Sequence, residues 1–128
     1  MKLDHATIVA GDLEGARGFL CSVVGLSEGS RPPFGFNGHW LYANHQPVIH
    51  LIEAGSALSA RSASPRIDHL GFRVDTVQEW SALLERARLS GVPYELSEAP
   101  LSGERQLFVA MAPGVVIEVV TAQQPPAP

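Results

Sequence analysis

The chain has 128 residues and a formal net charge of −4, with 45% hydrophobic and 17% charged residues. This length fits one domain or two small modules, and the apolar fraction is too high for intrinsic disorder. The absence of a basic cluster argues against a nucleic-acid partner, and no apolar run reaches the roughly 20 residues of a membrane helix. The polar N-terminus does not resemble a signal peptide and the single Cys21 suits a reducing compartment, so we expect a cytoplasmic protein.

The first half of the chain predicts a strand, a helix and further strands. Residues Leu3 to Ala10 alternate between two faces, as a strand does. Asp12 can cap a helix that ends at Gly25. The apolar stripe of that helix is formed by Ala16, Phe19, Leu20 and Val23. Residues His39 to Ala43 and Val48 to Ile52 then have the composition of strands.

The second half predicts the same order of elements. Residues Ile67 to Val74 form the opening strand, with Leu70, Phe72 and Val74 facing the helix that follows. Thr76 and Glu79 fit a capping box, and Gly91 ends that helix. Its apolar stripe is formed by Trp80, Leu83, Leu84 and Ala87. The later strands are expected at Tyr94 to Leu96, Gln106 to Met111 and Val115 to Val120.

The two halves are copies of one pattern. Leu3-Asp4-His5 resembles Ile67-Asp68-His69, and Val48-Ile49-His50 resembles Val116-Ile117-Glu118. We therefore predict an α+β fold in which two β-α-β-β-β modules, residues 1–54 and 67–122, pair into a half-open sheet that forms a cavity. Residues 55–66 are expected to be a linker and residues 123–128 a flexible tail.

Strand alternation places four titratable groups on the faces opposite the helices. These are His5, His50, His69 and Glu118. Imidazoles and carboxylates are the usual ligands of first-row divalent metals, and a carboxylate buried in a strand as apolar as Val-Ile-Glu-Val-Val needs a cation. The sequence thus predicts one divalent metal ion (Fe, Mn, Ni, Co or Zn) held by these four residues.

The paired modules and these four residues together resemble the vicinal oxygen chelate superfamily, which includes glyoxalase I, methylmalonyl-CoA epimerase, extradiol dioxygenases and bleomycin-resistance proteins. The resemblance covers roughly Leu3 to Thr121. It implies that His5, His69 and Glu118 are metal ligands. The closing position of the first module is Glu or Gln in the glyoxalase and epimerase branches, whereas here it is His50.

Other positions discriminate between branches of the superfamily. The first strand lacks the Arg with which glyoxalase I holds glutathione, so a glutathione adduct is a poor substrate. Extradiol dioxygenases carry a Tyr and an Asp-Pro-x-Gly turn before the closing Glu. Here Phe108 and Met111-Ala112-Pro113-Gly114 stand in those places, which argues against cleavage of a catechol ring.

Three functions remain open, and a metal-dependent isomerase, epimerase or lyase ranks first. It would act on a small carbonyl or vicinal-dioxygen substrate that chelates the metal, with Glu118 and His50 as catalytic residues. The second function is an Fe(II) extradiol-type dioxygenase in which His50 is a base that does not bind the metal. The third is a non-catalytic binding protein of the drug-resistance type. Candidate substrate contacts are Arg31, Phe34, Phe36, Trp40, Arg73 and Arg105. The family resemblance also implies a homodimer.

Overall fold

The structure, a computed structural model, describes residues 1–55, 64–100, 102–112 and 114–122. Most of the predicted linker and all of the predicted tail therefore lie outside the described residues. By Cα proximity the chain divides into two compact units. One unit comprises the described residues of His5–His69, and the other comprises Met1–Asp4 with the described residues from Leu70 onward.

Two consecutive β-α-β-β-β sets make up the described chain, which confirms the predicted α+β fold and its repeat. The first set is β1 (Lys2–Ala10), α1 (Leu13–Phe19), β2 (Ser27–Gly29), β3 (Gly38–Ala43) and β4 (Gln46–Glu53). The second set is β5 (Arg66–Arg73), α2 (Val77–Ser90), β6 (Tyr94–Glu98), β7 (Arg105–Ala112) and β8 (Val115–Thr121). Among the described residues, neither helix is long and apolar enough to cross a membrane.

In the first set the strand order is β2-β3-β4-β1, with β1 parallel to β4 and the other two pairings antiparallel. Leu13, Leu41 and Leu51 form the buried core against α1, and Ile8 and Ile49 pack against them. Because alternate residues of a strand point to opposite faces, His5, Thr7 and Val9 lie on the other face of β1 from Ile8. These three residues are buried as well.

The N-terminus of α1 follows the prediction, whereas its C-terminal part does not. The Asp12 carboxylate accepts from the Gly15 amide at 3.0 Å, which caps the helix. From Leu20 to Val24 the helix continues as a π-helical turn, in which the Gly25 amide donates to the Leu20 carbonyl. Phe19, the last residue of α1, and Val23, within the π-helical turn, do not face the core and are 57% and 72% exposed. Leu20 and Cys21 pack on the core instead.

In the second set the strand order is β5-β8-β7-β6. Trp80 of α2 forms the buried core together with Val74, Leu107 and Val119. Thr76 caps this helix and Gly91 ends it, as predicted. Phe72 packs on this core, but Leu70 is exposed, so the predicted inward set is correct for two of its three residues.

Arg73 joins two carboxylates within this unit. Its Nε donates to Asp4 at 2.8 Å and its Nη1 donates to Glu104 at 2.6 Å. Burial alone would lower the pKa of Arg73, but these two hydrogen bonds raise it above its ordinary value. Arg73 was predicted to contact substrate. The structure gives its guanidinium two protein partners, and the substrate contact stays a prediction.

We expect Arg73→Met to lower the free energy of unfolding by about 1–3 kcal/mol, because it removes one member of a partly buried charge network. Arg88→Met is the matched control. Arg88 pairs with Glu85 at an exposed position where water screens the charges, so we expect a much smaller effect from this substitution. Urea denaturation measures the free energy of unfolding of both variants. Equal effects of the two substitutions would contradict the stabilising role of the Arg73 charge network.

Candidate metal centre and its supports

Two imidazole side chains lie next to each other in the unit formed by His5–His69. His5 lies on β1 and His69 on β5, and their Nε2 atoms are 3.4 Å apart within one chain. The rings are nearly perpendicular, with an interplanar angle of 86°. His5 is buried, with 6% of its surface exposed. The Thr7 hydroxyl lies 3.1 Å from the same His69 nitrogen. The repeat of Asp-His in the two opening strands therefore places two histidine side chains side by side.

The separation of the two nitrogens fits a shared metal ion. Metal–imidazole bonds are about 2.1 Å long, and two such bonds to one ion span about 3.4 Å at a near-tetrahedral angle. Neutral imidazoles suit Fe, Ni and Zn among the divalent metals that the sequence suggested. The pair His5 and His69 thus has the donor chemistry and the spacing that such an ion requires.

A carboxylate and an arginine stand behind His69. The Asp68 Oδ2 lies 2.8 Å from His69 Nδ1, and Asp68 Oδ1 accepts from Arg66 Nη2 at 2.6 Å. A ligating histidine commonly donates its other ring N–H to a carboxylate in this way, which orients the ring. The sequence prediction did not include Asp68 or Arg66, although the Asp-His dipeptide in the repeat was a signal for Asp68.

His50 stacks on His5 as the middle ring of three. Its centroid is 4.0 Å from that of His5, with 12° between the planes, and 4.0 Å from that of Trp40, with 6° between the planes. The register explains the stack, because His50 is opposite Thr7 on β1 and opposite Trp40 on β3. The two strands next to β4 therefore place an aromatic ring on each face of His50.

Stacking of this kind disfavours His50 as a fourth ligand. An imidazole binds a metal through a lone pair in its ring plane. The planes of His5 and His50 are nearly parallel with centroids 4.0 Å apart, so their lone pairs point side by side rather than toward one common point. In the observed arrangement His50 holds the His5 ring in place. The predicted ligand role of His50 is therefore disfavoured, and its predicted role as a base stays a prediction.

The loop before β3 carries the predicted aromatic contacts. Phe34 and Phe36 stack with centroids 5.0 Å apart, and the Arg31 guanidinium lies 5.2 Å and 5.3 Å from these two rings. Arg31 also donates to the carbonyls of Phe36 and Gly38. Its two terminal nitrogens thus bind the loop itself, and burial lowers the pKa of the group. Phe34 lies 6.3 Å from Trp40, so the aromatic contacts continue to the stack on His50.

Glu118 belongs to the other unit. It lies on β8 with 3% of its surface exposed, and its Oε2 accepts from the Gln106 side-chain amide at 2.9 Å. The Ser97 hydroxyl donates to the amide oxygen of Gln106, which fixes the orientation of that amide. Phe108 is opposite Glu118 in the register of β7 and β8. Gln106 was not predicted as a site residue, and a polar side chain in an apolar strand was the signal for it.

Arg105 lies under the helix of this second unit. Its guanidinium is 5.4 Å from the centre of the buried Trp80 ring, which is a cation–π contact. Trp80 lies on α2 and belongs to the core of this unit. The predicted substrate contact of Arg105 is not supported by this position and stays a prediction.

A separate cleft of about 530 Å³ opens at the edge strand β2. It is lined by Ser27, Glu28, Gly29, Ser30, Tyr42, Asn44 and His45. None of the predicted site residues borders it. We place the candidate site at the histidine pair because its two imidazole nitrogens lie close enough together to bind one ion.

Comparison with known proteins identifies both a family and a fold. The family model described as "Glyoxalase/Bleomycin resistance protein/Dioxygenase superfamily" matches residues 2–119. No curated protein matches the chain. Among solved structures, methylmalonyl-CoA epimerase from Mycobacterium tuberculosis is similar with a TM-score of 0.67 and 24% identity, covering 94% of this chain and 87% of the epimerase.

Two longer proteins share the fold over part of their length. Homoprotocatechuate 2,3-dioxygenase from Brevibacterium fuscum, in complex with 3,4-dihydroxyphenylacetate, has a TM-score of 0.72 and 18% identity. That match covers 97% of this chain and 37% of the dioxygenase. A Mn(II)-bound glyoxalase from Novosphingobium aromaticivorans has a TM-score of 0.70 and 12% identity, covering 98% of this chain and 41% of the glyoxalase.

The ring stack leads to a prediction about Trp40. We expect Trp40→Leu to lower the free energy of unfolding by about 1–3 kcal/mol, through lost area and lost stacking. It should also shift the NMR signals of the His50 and His5 ring protons, since the indole no longer covers His50. Tyr42→Phe is the control, because it removes only the hydroxyl that donates to the Ser30 carbonyl. Unchanged histidine signals in Trp40→Leu would contradict the stack.

Proposed function

Because the chain belongs to the glyoxalase/bleomycin resistance protein/dioxygenase superfamily, we propose that it is a divalent-metal-dependent enzyme of the isomerase, epimerase or lyase class. Its substrate is a small carbonyl or vicinal-dioxygen compound that binds the metal through two oxygens. The observation that carries the proposal is the 3.4 Å separation of the two Nε2 atoms of His5 and His69, with Asp68 behind His69.

We propose that His5, His69 and Glu118 hold the ion. Two neutral imidazoles and one carboxylate leave a divalent ion with net positive charge and with open coordination positions. Such an ion supplies a Lewis acid that polarises a carbonyl oxygen. The sequence repeat supports the set, since it places the two histidines and the glutamate at corresponding strand positions of the two modules.

Glu118 and His50 are the groups that we propose to move a proton next to the substrate carbonyl. Gln106 holds one carboxylate oxygen of Glu118. His50 is held between two rings, which fixes its plane and limits its motion. Because the base is already held in one orientation, no conformational entropy is lost in orienting it during the reaction. Such positioning lowers the entropy cost of proton transfer.

A second candidate function is an Fe(II) dioxygenase acting on a catechol. In its favour, the proposed donor set of two histidines and one carboxylate, with His50 stacked outside it, is the facial triad of non-haem iron oxygenases. Against it stands Phe108, which has no hydroxyl at the place opposite Glu118. The non-catalytic binding function ranks third, because such a protein has no need of the proposed ligands.

Metal binding is the first test of the proposal. We expect about one divalent ion per chain in titrations with Mn, Fe, Co, Ni and Zn. His69→Ala and Glu118→Gln should each weaken binding by more than about 100-fold, since loss of groups behind a ligand already costs about 10–100-fold.

His45→Asn is the control for metal binding. His45 lies in the β3–β4 turn with a φ of 64°, a conformation that Asn tolerates, and the variant should bind metal normally. A wild-type chain that binds none of these ions would contradict both enzyme functions.

The reaction class is tested with the metal-loaded protein. Exchange of the proton next to the carbonyl of a small 2-oxo or 2-hydroxy carbonyl compound in D2O, without oxygen uptake, supports the first function. Oxygen uptake on catechols by the iron-loaded protein supports the second and contradicts the first. The homodimer and the cytoplasmic location stay predictions, and sedimentation velocity measures the former.

A further inference from the structure

We infer that Asp68 is a positioning residue that selects the tautomer of His69, with Arg66 fixing which oxygen of Asp68 performs this task. The consequence of this tautomer is that His69 Nε2 offers a lone pair to a divalent metal, and this consequence rests on the proposed function. The structural part of the inference concerns the metal-free chain alone, and that part can be tested without any metal.

The two oxygens of Asp68 have different partners. Oδ1 accepts from Arg66 Nη2 at 2.6 Å, and Oδ2 faces His69 Nδ1 at 2.8 Å. Arg66 is itself anchored, because its Nη1 donates to the Ser64 carbonyl at 2.8 Å. The Asp68 side chain is only 11% exposed, so these contacts are shielded from competing water. The carboxylate is thus held in one orientation.

This orientation decides where the proton of a neutral His69 resides. A carboxylate can only accept, so Nδ1 carries the hydrogen and Nε2 carries the lone pair. The contact on the other side of the ring agrees, since the Thr7 hydroxyl 3.1 Å from Nε2 can donate to that lone pair. The lone pair lies on the side of the ring where His5 Nε2 is found, 3.4 Å away.

Arg66 makes an Asn at position 68 worse than an Ala. The guanidinium only donates, so it draws the amide oxygen of Asn toward Nη2 and leaves the amide NH₂ facing His69 Nδ1. That NH₂ needs an acceptor, and Nδ1 can accept only if the proton moves to Nε2, where it blocks the metal. Ala imposes neither tautomer. A merely structural role for Asp68 predicts the opposite order, because Asn preserves the shape of the side chain and Ala does not.

The tautomer is read first, in the metal-free protein. Long-range ¹H–¹⁵N NMR of the histidine rings distinguishes Nδ1–H from Nε2–H. We expect Nδ1–H for His69 in the wild type and Nε2–H in Asp68→Asn. In the double variant Arg66→Met with Asp68→Asn the amide is free to turn, and Nδ1–H should return at least in part. A wild-type His69 in the Nε2–H form, or an Asp68→Asn chain that keeps Nδ1–H, would overturn the inference.

Metal affinity is read second, by titration with Co²⁺ and Zn²⁺. Asp68→Asn should weaken binding about 10–100-fold. Asp68→Ala should weaken it less, and the double variant should recover part of the loss. Asp12→Asn is the control, since Asn also caps a helix and the Asp12 carboxylate accepts from the Gly15 amide at the start of α1.

The metal titration also separates the two proposals. If Asp68→Ala binds metal more weakly than Asp68→Asn does, the tautomer mechanism is wrong. Absence of metal binding in the wild type would overturn the proposed function, while the NMR result would still decide the tautomer.

Discussion

The contact between His5 and His69 is the interaction on which the site depends. Two imidazole nitrogens 3.4 Å apart in a largely buried place need defined protonation states, because burial makes an unmatched pair of lone pairs or of N–H groups costly. Neighbouring side chains fix these protonation states and the orientations of the rings. Asp68 lies beyond one edge of His69, Thr7 faces the other, and His50 covers the face of His5. Each strand that carries a site histidine also carries, or lies beside, a residue that orients one.

Much of the fold could be predicted because the same pattern of strands and helix occurs twice in the sequence. The repeated Asp-His and Val-Ile segments, together with period-two alternation, were sufficient for the β-α-β-β-β order and for the faces of β1 and β4. The helix caps followed from local chemistry at Asp12 and Thr76. Gly25 ends the helical run as predicted, but the π-helical turn before it could not be predicted, because that turn depends on how Leu20 and Cys21 fit the core.

The candidate ligands could be proposed from the sequence, whereas their partners could not. His5 and His69 stand out because they recur at matching strand positions. Whether an arginine binds substrate or another protein group depends on which acceptors the fold brings near it. Arg73 donates to two carboxylates and Arg31 to two carbonyls of its own loop, and no local pattern specifies either arrangement. The stack on His50 likewise depends on the register of β4 with β1 and β3, which no local pattern specifies. Gln106 is recognised as a partner of Glu118 only when β7 and β8 are aligned.

The central claim is that His5 and His69, but not His50, bind one metal ion. X-ray absorption of the Zn²⁺-loaded chain measures this most directly, because imidazole ligands give a characteristic multiple-scattering pattern beyond the first coordination shell. The account predicts two imidazoles per ion together with oxygen ligands, the same pattern in His50→Ala, and one imidazole in His69→Ala. Three imidazoles in the wild type, falling to two in His50→Ala, or no imidazole at all, would contradict it.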